Sequence, residues 1–516
     1  MTRTDKIKEL HDEDILNLAS DTIEKGKQAL VFISTKASTE ATAEKIAKKL
    51  EEKAELIEIS ENILHALPRP TRQCKRLAKV ARKGVVFHHA GLNAKQRDII
   101  EDSFRDGTIR IICCTPTLAA GVDLPAFRTI LKDLRRYNGR WGYAWIPNLE
   151  YQQMSGRAGR PGKEDFGEAI AIASTEKEKQ DIYERYVIGE VEPVYSKLAV
   201  EPVLRTYALS LVATEIVNSS KELIDFFSNT FWARQYKDMN KLAGKILQMT
   251  EMLKDFGFIG SKSSEFVSAS ELEDEELKAT PLGKRVAQLY IDPVTAHNII
   301  LGLKKSGKNP SAFSILQLIT SQLEMRPRLR LRKSDYDKVN QKLVEEELIV
   351  NEPDVYDPEH DDFLDSVKTA MFFEDWIEEN TEEELLERYN IRPGEIKTKI
   401  DNADWLLYAS EEIAKIIEKQ EIVKELRKIR IRVINGVKED ILPLLQIKHI
   451  GRVRARKLFS NKIRDLKGLR EISITALSQI IGAKTAASVK EQLGEKVKVV
   501  PEKRRKGQMS LSKYKE

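Results

Sequence analysis

The sequence has little of several features that would place it in a class at once. Its 516 residues include only three cysteines, Cys74, Cys113 and Cys114. Three are too few for a disulfide framework or for an iron–sulfur cluster held by four cysteines. No apolar run approaches the roughly 18 residues of a membrane-spanning helix, and the N-terminus lacks an apolar signal core. These absences argue against a disulfide scaffold and a membrane protein, and they predict a cytoplasmic location.

The excess of basic over acidic residues is also small. The formal net charge is +5, from 86 lysines and arginines against 81 aspartates and glutamates. Residues 496–516 contain eight of the basic and two of the acidic residues, so this tail carries +6 and the first 495 residues carry −1. Composition alone therefore does not establish a nucleic-acid partner. The hydrophobic content of 41% allows several packed cores, and the length suggests about three to five domains.

The N-terminal third alternates apolar runs with helical patterns. Residues 28–34, 84–88 and 108–114 are short apolar segments of the kind that form buried strands. A helical pattern occupies residues 41–50, and Asn93 can cap a second helix that stops near Gly107. Alternation of strands and helices at this spacing predicts a parallel sheet.

After about residue 195 the pattern becomes mainly helical. Helices followed by a small β excursion near residues 261–284 suggest a winged helix, and amphipathic helices follow to about residue 434. Residues 440–495 contain short helices separated by glycines, and the tail from Pro501 has almost no core-forming residues. We therefore expect a multidomain protein that combines an α/β domain with all-α domains.

The strongest chemical signal is the segment QMSGRAGRPG at residues 153–162. Two arginines three positions apart, set among glycines, can reach one anion from a compact turn. Arginine is permanently charged and offers forked donors to the charge that develops on a transferred phosphate. A surface loop rich in glycine and arginine is the alternative interpretation.

Two further segments follow predicted strands. FHHAGL occupies residues 87–92, and TPTLAAGVDLP occupies residues 115–125. The adjacent histidines lack cysteine or carboxylate at ligand spacing, so a structural role is favoured over a metal site. In the second segment the threonines could bond phosphates and Asp123 could accept from a ribose hydroxyl; an ordinary strand-to-helix loop with a capping threonine is the alternative.

Together these segments resemble a known family. In chain order, motifs IV, IVa, V and VI of superfamily 2 helicases resemble the segments VFIST (31–35), FHHAGL, TPTLAAGVDLP and QMSGRAGR. The amino-acid sequences of FHHAGL and TPTLAAGVDLP are similar to those of the Ski-like branch. The rest of the chain resembles the archaeal Hjm-type ATP-dependent DNA helicase, which is related to the helicase part of DNA polymerase theta.

The resemblance implies four domains and a tail. These are a second RecA-like domain (1–194), a winged helix (195–292), a helical ratchet domain (293–437), a helix-hairpin-helix domain (438–497) and a basic flexible tail (498–516).

The resemblance also exposes an expected part that is missing. Helicases of this kind bind ATP and Mg²⁺ between two RecA-like domains, the first of which carries the Walker A and B motifs. No G-x-x-x-x-G-K-[ST] is present in the sequence, and the nearest approach, residues 302–309, ends in Asn309 and follows a helical pattern. We expect the chain alone neither to bind ATP tightly nor to hydrolyse it, with the first RecA-like domain supplied by a truncated upstream segment or by a separate polypeptide.

By resemblance, the chain supplies the other half of the ATP site. Arg157 and Arg160 correspond to arginine fingers, and Gln153 would help to position the γ-phosphate or the attacking water. Gly121 and Asp123 would couple nucleotide to DNA, and Thr117 belongs to the same nucleotide-binding segment. No metal ligand is expected among them.

Several candidate DNA contacts follow from the same resemblance. The segment 135–145 contains an Asn-Gly turn flanked by Tyr137 and Trp141, which matches the family's strand-separating hairpin; aromatics that pack on the domain are the alternative. Trp405 matches the tryptophan of the ratchet helix that stacks on single-stranded bases, although a helical tryptophan is usually core. The family's ratchet arginine falls near Thr398 here, and Lys397 is its closest basic substitute.

The C-terminal region offers two more contacts. IKHIGRVRAR at residues 447–456 resembles a helix-hairpin-helix that binds DNA phosphates, with Arg452, Arg454 and Arg456 adding electrostatic affinity. In the tail, Gln508, Leu511 and Tyr514 have the spacing of a peptide that docks on the PCNA sliding clamp. Lys515 stands where that peptide has a second aromatic, and a merely solvated basic tail is the alternative.

The sequence therefore predicts the C-terminal portion of a 3′→5′ ATP-dependent DNA helicase that unwinds forked or branched DNA in replication-fork repair and recombination. One alternative is a Ski-like RNA helicase. Another is a non-catalytic DNA-binding or clamp-adaptor protein.

Overall fold

A computed structural model describes residues 6–67, 69–137, 142–159, 162, 164–198, 200–261 and 276–495. These residues form two compact units. The first is formed by the described residues within 1–252, 261–278 and 381–399, and the second by those within 253–260, 279–380 and 400–516. No helix among the described residues is long and apolar enough to cross a membrane.

Among the described residues, the α/β part of the first unit contains seven strands and eight α-helices up to residue 182. In chain order they are α1 (Asp14–Glu24), β1 (Ala29–Phe32), α2 (Lys36–Lys48), α3 (Ile57–Leu64), α4 (Arg72–Ala81), β2 (Val85–His88), α5 (Ala94–Arg105), β3 (Ile111–Cys114), α6 (Thr117–Gly121), β4 (Arg128–Leu131), β5 (Arg135–Tyr137), β6 (Tyr143–Trp145), α7 (Asn148–Ser155), β7 (Glu168–Ala171) and α8 (Glu176–Ile182).

Five of these strands form the predicted parallel sheet, in the order β2-β3-β1-β4-β7. The pairing is parallel throughout, with Ala29 of β1 in register with Ile111 of β3 and with Arg128 of β4. Strands β1 to β4 are buried along their whole length, because helices cover the sheet. Burial raises the pKa of the Cys113 and Cys114 thiols, so these cysteines are inert core residues.

Strand β4 and the edge strand β7 are tied to α1 by one buried arginine. The guanidinium of Arg128 donates to Asp21 Oδ2 and to Glu168 Oε2, each at 2.7 Å, and to Thr22 Oγ1 at 2.7 Å. A buried arginine is tolerated only when its donors are satisfied in this way. The charged residues that begin both strands are the reason why the apolar pattern of the sequence did not reveal β4 and β7.

The remaining elements are mainly helical, as predicted. They are α9 (Glu201–Ala213), α10 (Ser220–Ser228), α11 (Phe231–Tyr236), α12 (Met239–Asp255), β8 (Ile259–Ser261), β9 (Leu277–Ala279), α13 (Pro281–Leu289), α14 (Pro293–Lys305), α15 (Ala312–Thr320), α16 (Tyr336–Glu345), α17 (His360–Ile377), α18 (Glu382–Tyr389), α19 (Pro393–Ile416), α20 (Gln420–Asn435), α21 (Arg452–Ser460), α22 (Leu466–Glu471), α23 (Ile474–Ile481) and α24 (Ala483–Gln492).

The local signals behind these elements are visible in the structure. Asn93 caps α5 through a capping box with Gln96. Helix α14 ends at Lys305, just before Gly307, so residues 302–309 form a helix end and not a phosphate loop. Residues 437–493 enclose a separate apolar core to which the segment 437–450 and helices α21 to α24 contribute, which is how a pair of short helical hairpins packs.

Candidate functional site

The motif V segment leaves the carboxyl end of β3 in the first unit. Thr115 is buried directly after the strand, and its Oγ1 lies 2.9 Å from Oγ1 of Thr117, which begins the short helix α6. Gly121 ends this helix, and nothing lies within 4 Å of the position where a side-chain Cβ would stand. Thr117 and Gly121 are both exposed. Since ligands of open parallel sheets bind outside the carboxyl ends of the strands, this edge is the expected nucleotide position.

One arginine of motif VI is hydrogen-bonded to motif V. Helix α7 ends at Ser155, and Arg157 follows two residues later. Its guanidinium donates to the carbonyl of Ala119 through Nη2 at 2.6 Å and Nε at 3.2 Å, and to Asp123 Oδ1 through Nη1 at 3.2 Å. The structure therefore brings together two residues, Arg157 and Asp123, that the sequence assigned to different motifs. The Asp123 carboxylate is 94% exposed, which leaves it accessible to a ligand.

Backbone bonds hold the two motifs side by side. The N–H of Ala126 donates to the carbonyl of Arg157 at 2.9 Å, and the N–H of Gly159 donates to the carbonyl of Ala126 at 2.7 Å. Gly159 has φ +93°, and a Cβ on Gly167 would stand 2.2 Å from the Gly159 nitrogen. Only glycine permits this conformation and this approach, so these two glycines shape the turn after Arg157.

Gln153 lies exposed on α7, which packs against α6. The neighbouring predicted finger, Arg160, lies outside the described residues. The site therefore presents Thr117, Gly121, Asp123, Gln153 and Arg157 on the adjoining helices α6 and α7 and just after them.

The adjacent histidines of motif IVa both bond carboxylates. His88 Nε2 lies 3.0 Å from Glu101 Oε1, and His89 Nε2 lies 3.2 Å from Glu40 Oε1. The N–H of Gly91 donates to His89 Nδ1 at 3.1 Å, so His89 carries its proton on Nε2 and donates it to Glu40. Burial lowers the pKa of His89 despite the carboxylate, which keeps the ring neutral.

Glu40 is the centre of a buried cluster that the sequence did not reveal. Besides His89, its carboxylate accepts from Gln73 Nε2 at 2.9 Å, from Arg392 Nε at 3.1 Å and from Arg76 Nη1. The Glu40 side chain is 5% exposed. Burial alone would raise the pKa of Glu40, but the hydrogen bonds from His89 and Gln73 and the charge of Arg392 outweigh it and lower the pKa to about 2.

This cluster attaches the start of α19 to motif IVa inside the first unit. The N–H of Gly394 donates to the carbonyl of Gly91 at 3.1 Å. A Cβ on Gly394 would lie 2.2 Å from the carbonyl oxygen of Ala90, so the helix can approach this closely only through glycine. Lys36 also pairs with Glu395. The first turn of α19 is thus fixed by one backbone bond and by two groups of ion pairs.

The predicted hairpin is present as strands β5 and β6, which pair antiparallel with Tyr137 opposite Tyr143. The two tyrosine rings meet edge to face at 5.6 Å and are 63% and 74% exposed. Trp145, at the base, lies under the Arg135 guanidinium at 4.1 Å and contacts the ring of Tyr186. The base therefore packs on the domain while the two tyrosines do not. Trp141 lies outside the described residues.

Trp405 lies in the C-terminal part of α19, in the second unit. Its Nε1–H donates to the carbonyl of Leu289 at 2.8 Å, and its side chain is half-buried. One turn away, Asn402 donates to the carbonyl of Glu324 at 2.9 Å. Lys397 is exposed on the same helix. Trp405 is thus held in one orientation with part of its ring accessible.

The three arginines of the first helical hairpin differ in their surroundings. Arg456 donates to both oxygens of Asp440, each at 2.8 Å, and to Glu379 Oε2 at 2.8 Å. These carboxylates raise the pKa of Arg456. Arg452 donates to the carbonyl of Asn380 at 2.7 Å and lies over the ring of Trp376. Both arginines therefore attach α21 to the end of α17.

Arg454 is the exposed member of this group. Its Nη1 donates to the carbonyl of His449 at 2.9 Å, within the same hairpin turn. The glycine of the second hairpin, Gly482, has φ +88° between α23 and α24. The clamp-peptide residues Gln508, Leu511 and Tyr514 lie outside the described residues.

Comparison with known proteins adds family information to this geometry. Residues 5–162 match the family model of the helicase conserved C-terminal domain, residues 313–436 that of archaeal helicase domain 4, and residues 441–495 that of the SAM-like helix-hairpin-helix tandem. The matched regions agree with the predicted RecA-like sheet, with the helical region that follows it and with the C-terminal hairpins.

The chain is also similar to curated proteins along nearly its whole length. It is 38% identical over 504 residues to the ATP-dependent DNA helicase Hel308 of Methanocella arvoryzae, 37% identical over 500 residues to that of Pyrococcus horikoshii, and 38% identical over 500 residues to that of Pyrococcus abyssi. Each alignment covers 95% of this chain and 66% or 67% of the relative. The chain thus spans about two thirds of the length of these relatives.

Proposed function

The chain belongs to the Hel308 family of ATP-dependent DNA helicases, and we propose that it supplies the second half of the ATP site and the DNA track of a 3′→5′ helicase that acts on forked or branched DNA. The observation that carries the proposal is the joining of motifs V and VI through Arg157, which donates to Asp123 and to the carbonyl of Ala119. This arrangement ties the arginine-bearing turn to the segment that follows β3, so a change at one is transmitted to the other.

ATP fits this edge of the sheet as a shared ligand. Gln153, Thr117 and Asp123 are exposed beside Arg157, and Gly121 leaves open space. Polar and cationic side chains of this kind orient phosphates and stabilise the charge that develops during hydrolysis. We propose that Arg160 completes the set from the same turn.

Mg²⁺ does not fit the described part of this chain in the same way. Within the described ranges, no group of three or more His, Cys, Asp or Glu side chains could hold a metal ion. We propose that Mg²⁺ is held by the nucleotide phosphates and by a first RecA-like domain, supplied in cis or in trans.

The DNA track is proposed from two separate features, the β5–β6 hairpin and helix α19. The exposed tyrosines Tyr137 and Tyr143 of the hairpin, with Trp141, can stack on a terminal base pair and separate strands. The fixed ring of Trp405 can stack on a single-stranded base, and Lys397 on the same helix can contact a phosphate.

Our proposed subdivision of the chain after residue 194 is a winged helix (195–292), a ratchet domain (293–437) and a helix-hairpin-helix domain (438–497). We also propose that the C-terminal tail recruits PCNA.

Hydrolysis of ATP tests the proposal. We expect the 516-residue chain alone to show no ATP hydrolysis, and a polypeptide that joins it to a first RecA-like domain of the same family to show hydrolysis stimulated by single-stranded DNA. Steady-state phosphate release measures both. Hydrolysis by the chain alone would contradict the proposal, and DNA binding without hydrolysis by the joined polypeptide would favour a non-catalytic adaptor.

The helical hairpins give a second prediction that separates contact from support. Arg454→Ala is expected to weaken binding of duplex DNA and to lower the slope of log affinity against log salt by about 1, because one phosphate contact is lost. Its melting temperature should stay unchanged. Arg456→Ala is expected to lower the melting temperature instead, since Glu379 and Asp440 lose their partner. Equal effects of both variants on the salt slope would contradict this division.

A further inference from the structure

One exposed aromatic side chain beside Trp405 has no role in the account so far. Tyr290 follows α13 and has φ +57° and ψ +23°, in the left-handed region. This conformation is unfavourable for a bulky side chain and is usually taken by glycine or asparagine at a helix end. Its N–H donates to the carbonyl of Ala287 at 3.2 Å, a bond that glycine would make equally well. The backbone alone therefore gives no reason for a tyrosine here.

Packing gives no reason for it either. The Tyr290 side chain is 76% exposed, whereas its neighbours Leu289 and Ile291 are 6% and 1% exposed. A ring that contributed to the core would be covered, because burial of apolar area is what stabilises a core. Instead, two buried neighbours hold the backbone in place while the ring points to solvent.

The backbone next to Tyr290 is fixed relative to Trp405. The carbonyl of Leu289, the residue before Tyr290, accepts the indole N–H of Trp405 at 2.8 Å. From the same helix α13, Arg285 donates to the hydroxyl of Tyr408 at 3.1 Å and pairs with Glu412. Helix α13 is thus attached to α19 at three consecutive turns of α19, through Trp405, Tyr408 and Glu412. Tyr290 directly follows Leu289, which makes the contact with Trp405.

We propose that Tyr290 is a second base-stacking residue of the single-stranded DNA track, adjoining Trp405. This inference rests on the proposed function, because it needs DNA to pass along α19. A tyrosine ring stacks on any base, so it can hold successive nucleotides without reading their sequence. Two neighbouring aromatic platforms can retain the strand at one while it is released from the other. Stacking of one base is worth about 5- to 150-fold in affinity.

The test measures stability and DNA affinity in the same variants of the 516-residue chain. In Tyr290→Gly, glycine replaces tyrosine at a position whose backbone is left-handed, a conformation that glycine adopts without steric cost. We therefore expect the melting temperature to stay equal or rise. The affinity for fluorescent oligothymidylate should fall about 5- to 150-fold in fluorescence anisotropy. Tyr290→Trp should keep the affinity and Tyr290→Leu should lose it, since leucine keeps apolar bulk without a ring. Unchanged affinity in Tyr290→Gly would overturn the proposal, and so would equal affinity of the leucine and tryptophan variants.

A parallel variant separates this proposal from the proposed function. Trp405→Leu is expected to weaken oligothymidylate binding to a similar extent. If Trp405→Leu weakens binding and Tyr290→Gly does not, the role of Tyr290 is wrong and the DNA track stands. If neither variant changes the affinity, the track along α19 is wrong as well.

Discussion

Replacing Arg160 by alanine, in a polypeptide that also contains the first RecA-like domain, is expected to lower the rate of ATP hydrolysis about 10³–10⁵-fold. The reason is that an arginine finger neutralises charge that develops on the transferred phosphate, and we propose Arg160 for this role. Arg157, three residues earlier, already donates to Ala119 and Asp123. Single-stranded DNA affinity should stay unchanged, because we propose that the motif VI turn contacts the nucleotide and not the DNA.

A surface arginine provides the matched control for this variant. Arg105 is exposed on α5 and pairs with Asp102 at 2.7 Å, so Arg105→Ala should leave both ATP hydrolysis and DNA affinity unchanged. Steady-state kinetics and fluorescence anisotropy measure the two properties. A loss of less than tenfold in hydrolysis for Arg160→Ala, or a parallel loss of DNA affinity, would argue against the finger role.

Replacing Glu40 by alanine is expected to cost about 3–5 kcal/mol of the free energy of unfolding of the first unit. The substitution leaves the buried donors of Arg392, His89 and Gln73 without their acceptor. Glu44 pairs with Arg76 at 2.6 Å but is partly exposed, so Glu44→Ala should cost less than about 1 kcal/mol. Chemical denaturation of both variants measures the difference. Equal costs would mean that burial of the Glu40 cluster contributes nothing.

The pH dependence of the free energy of unfolding tests the same cluster. Because the pKa of Glu40 is lowered from 4.5 to about 2, its contribution to stability is fully present above pH 4.5 and is lost as the pH falls towards 2. The unfolding free energy of the parent chain should therefore fall more steeply below pH 4.5 than that of Glu40→Gln, which cannot titrate. Identical slopes for the two proteins would show that Glu40 is not the carboxylate responsible.

The sequence predicted best those elements whose signals are local. Strands β1, β2 and β3 are continuous apolar runs, and the cap at Asn93 and the end of α14 before Gly307 follow from neighbouring residues. The motif residues Arg157 and Asp123 were assigned by resemblance, and the structure adds the bond between them.

What the sequence concealed depends on partners far along the chain. In the sequence, Glu40 is one of many charged residues on a polar helix. The residues around it do not indicate that it pairs with Arg392, which lies 352 positions away. Arg456 looks like a phosphate ligand beside Arg454, but it meets Glu379, 77 positions earlier. Tyr290 gives no signal in the sequence, because neither exposure nor a left-handed backbone can be read from residue types alone.

One of these long-range contacts lies at the start of α19. The Glu40 cluster fixes the first turn of α19 to motif IVa, and the same helix continues to Trp405.

Strand separation tests the central claim most directly. The polypeptide that joins this chain to a first RecA-like domain is mixed with ATP, Mg²⁺ and a fluorescently labelled DNA fork, and release of the labelled strand is followed over time. The account predicts that forks with a 3′ single-stranded tail are unwound, that forks with only a 5′ tail are not, and that the Arg160→Ala protein releases no strand. Binding of the fork without strand release by the parent polypeptide, or unwinding confined to RNA, would contradict it.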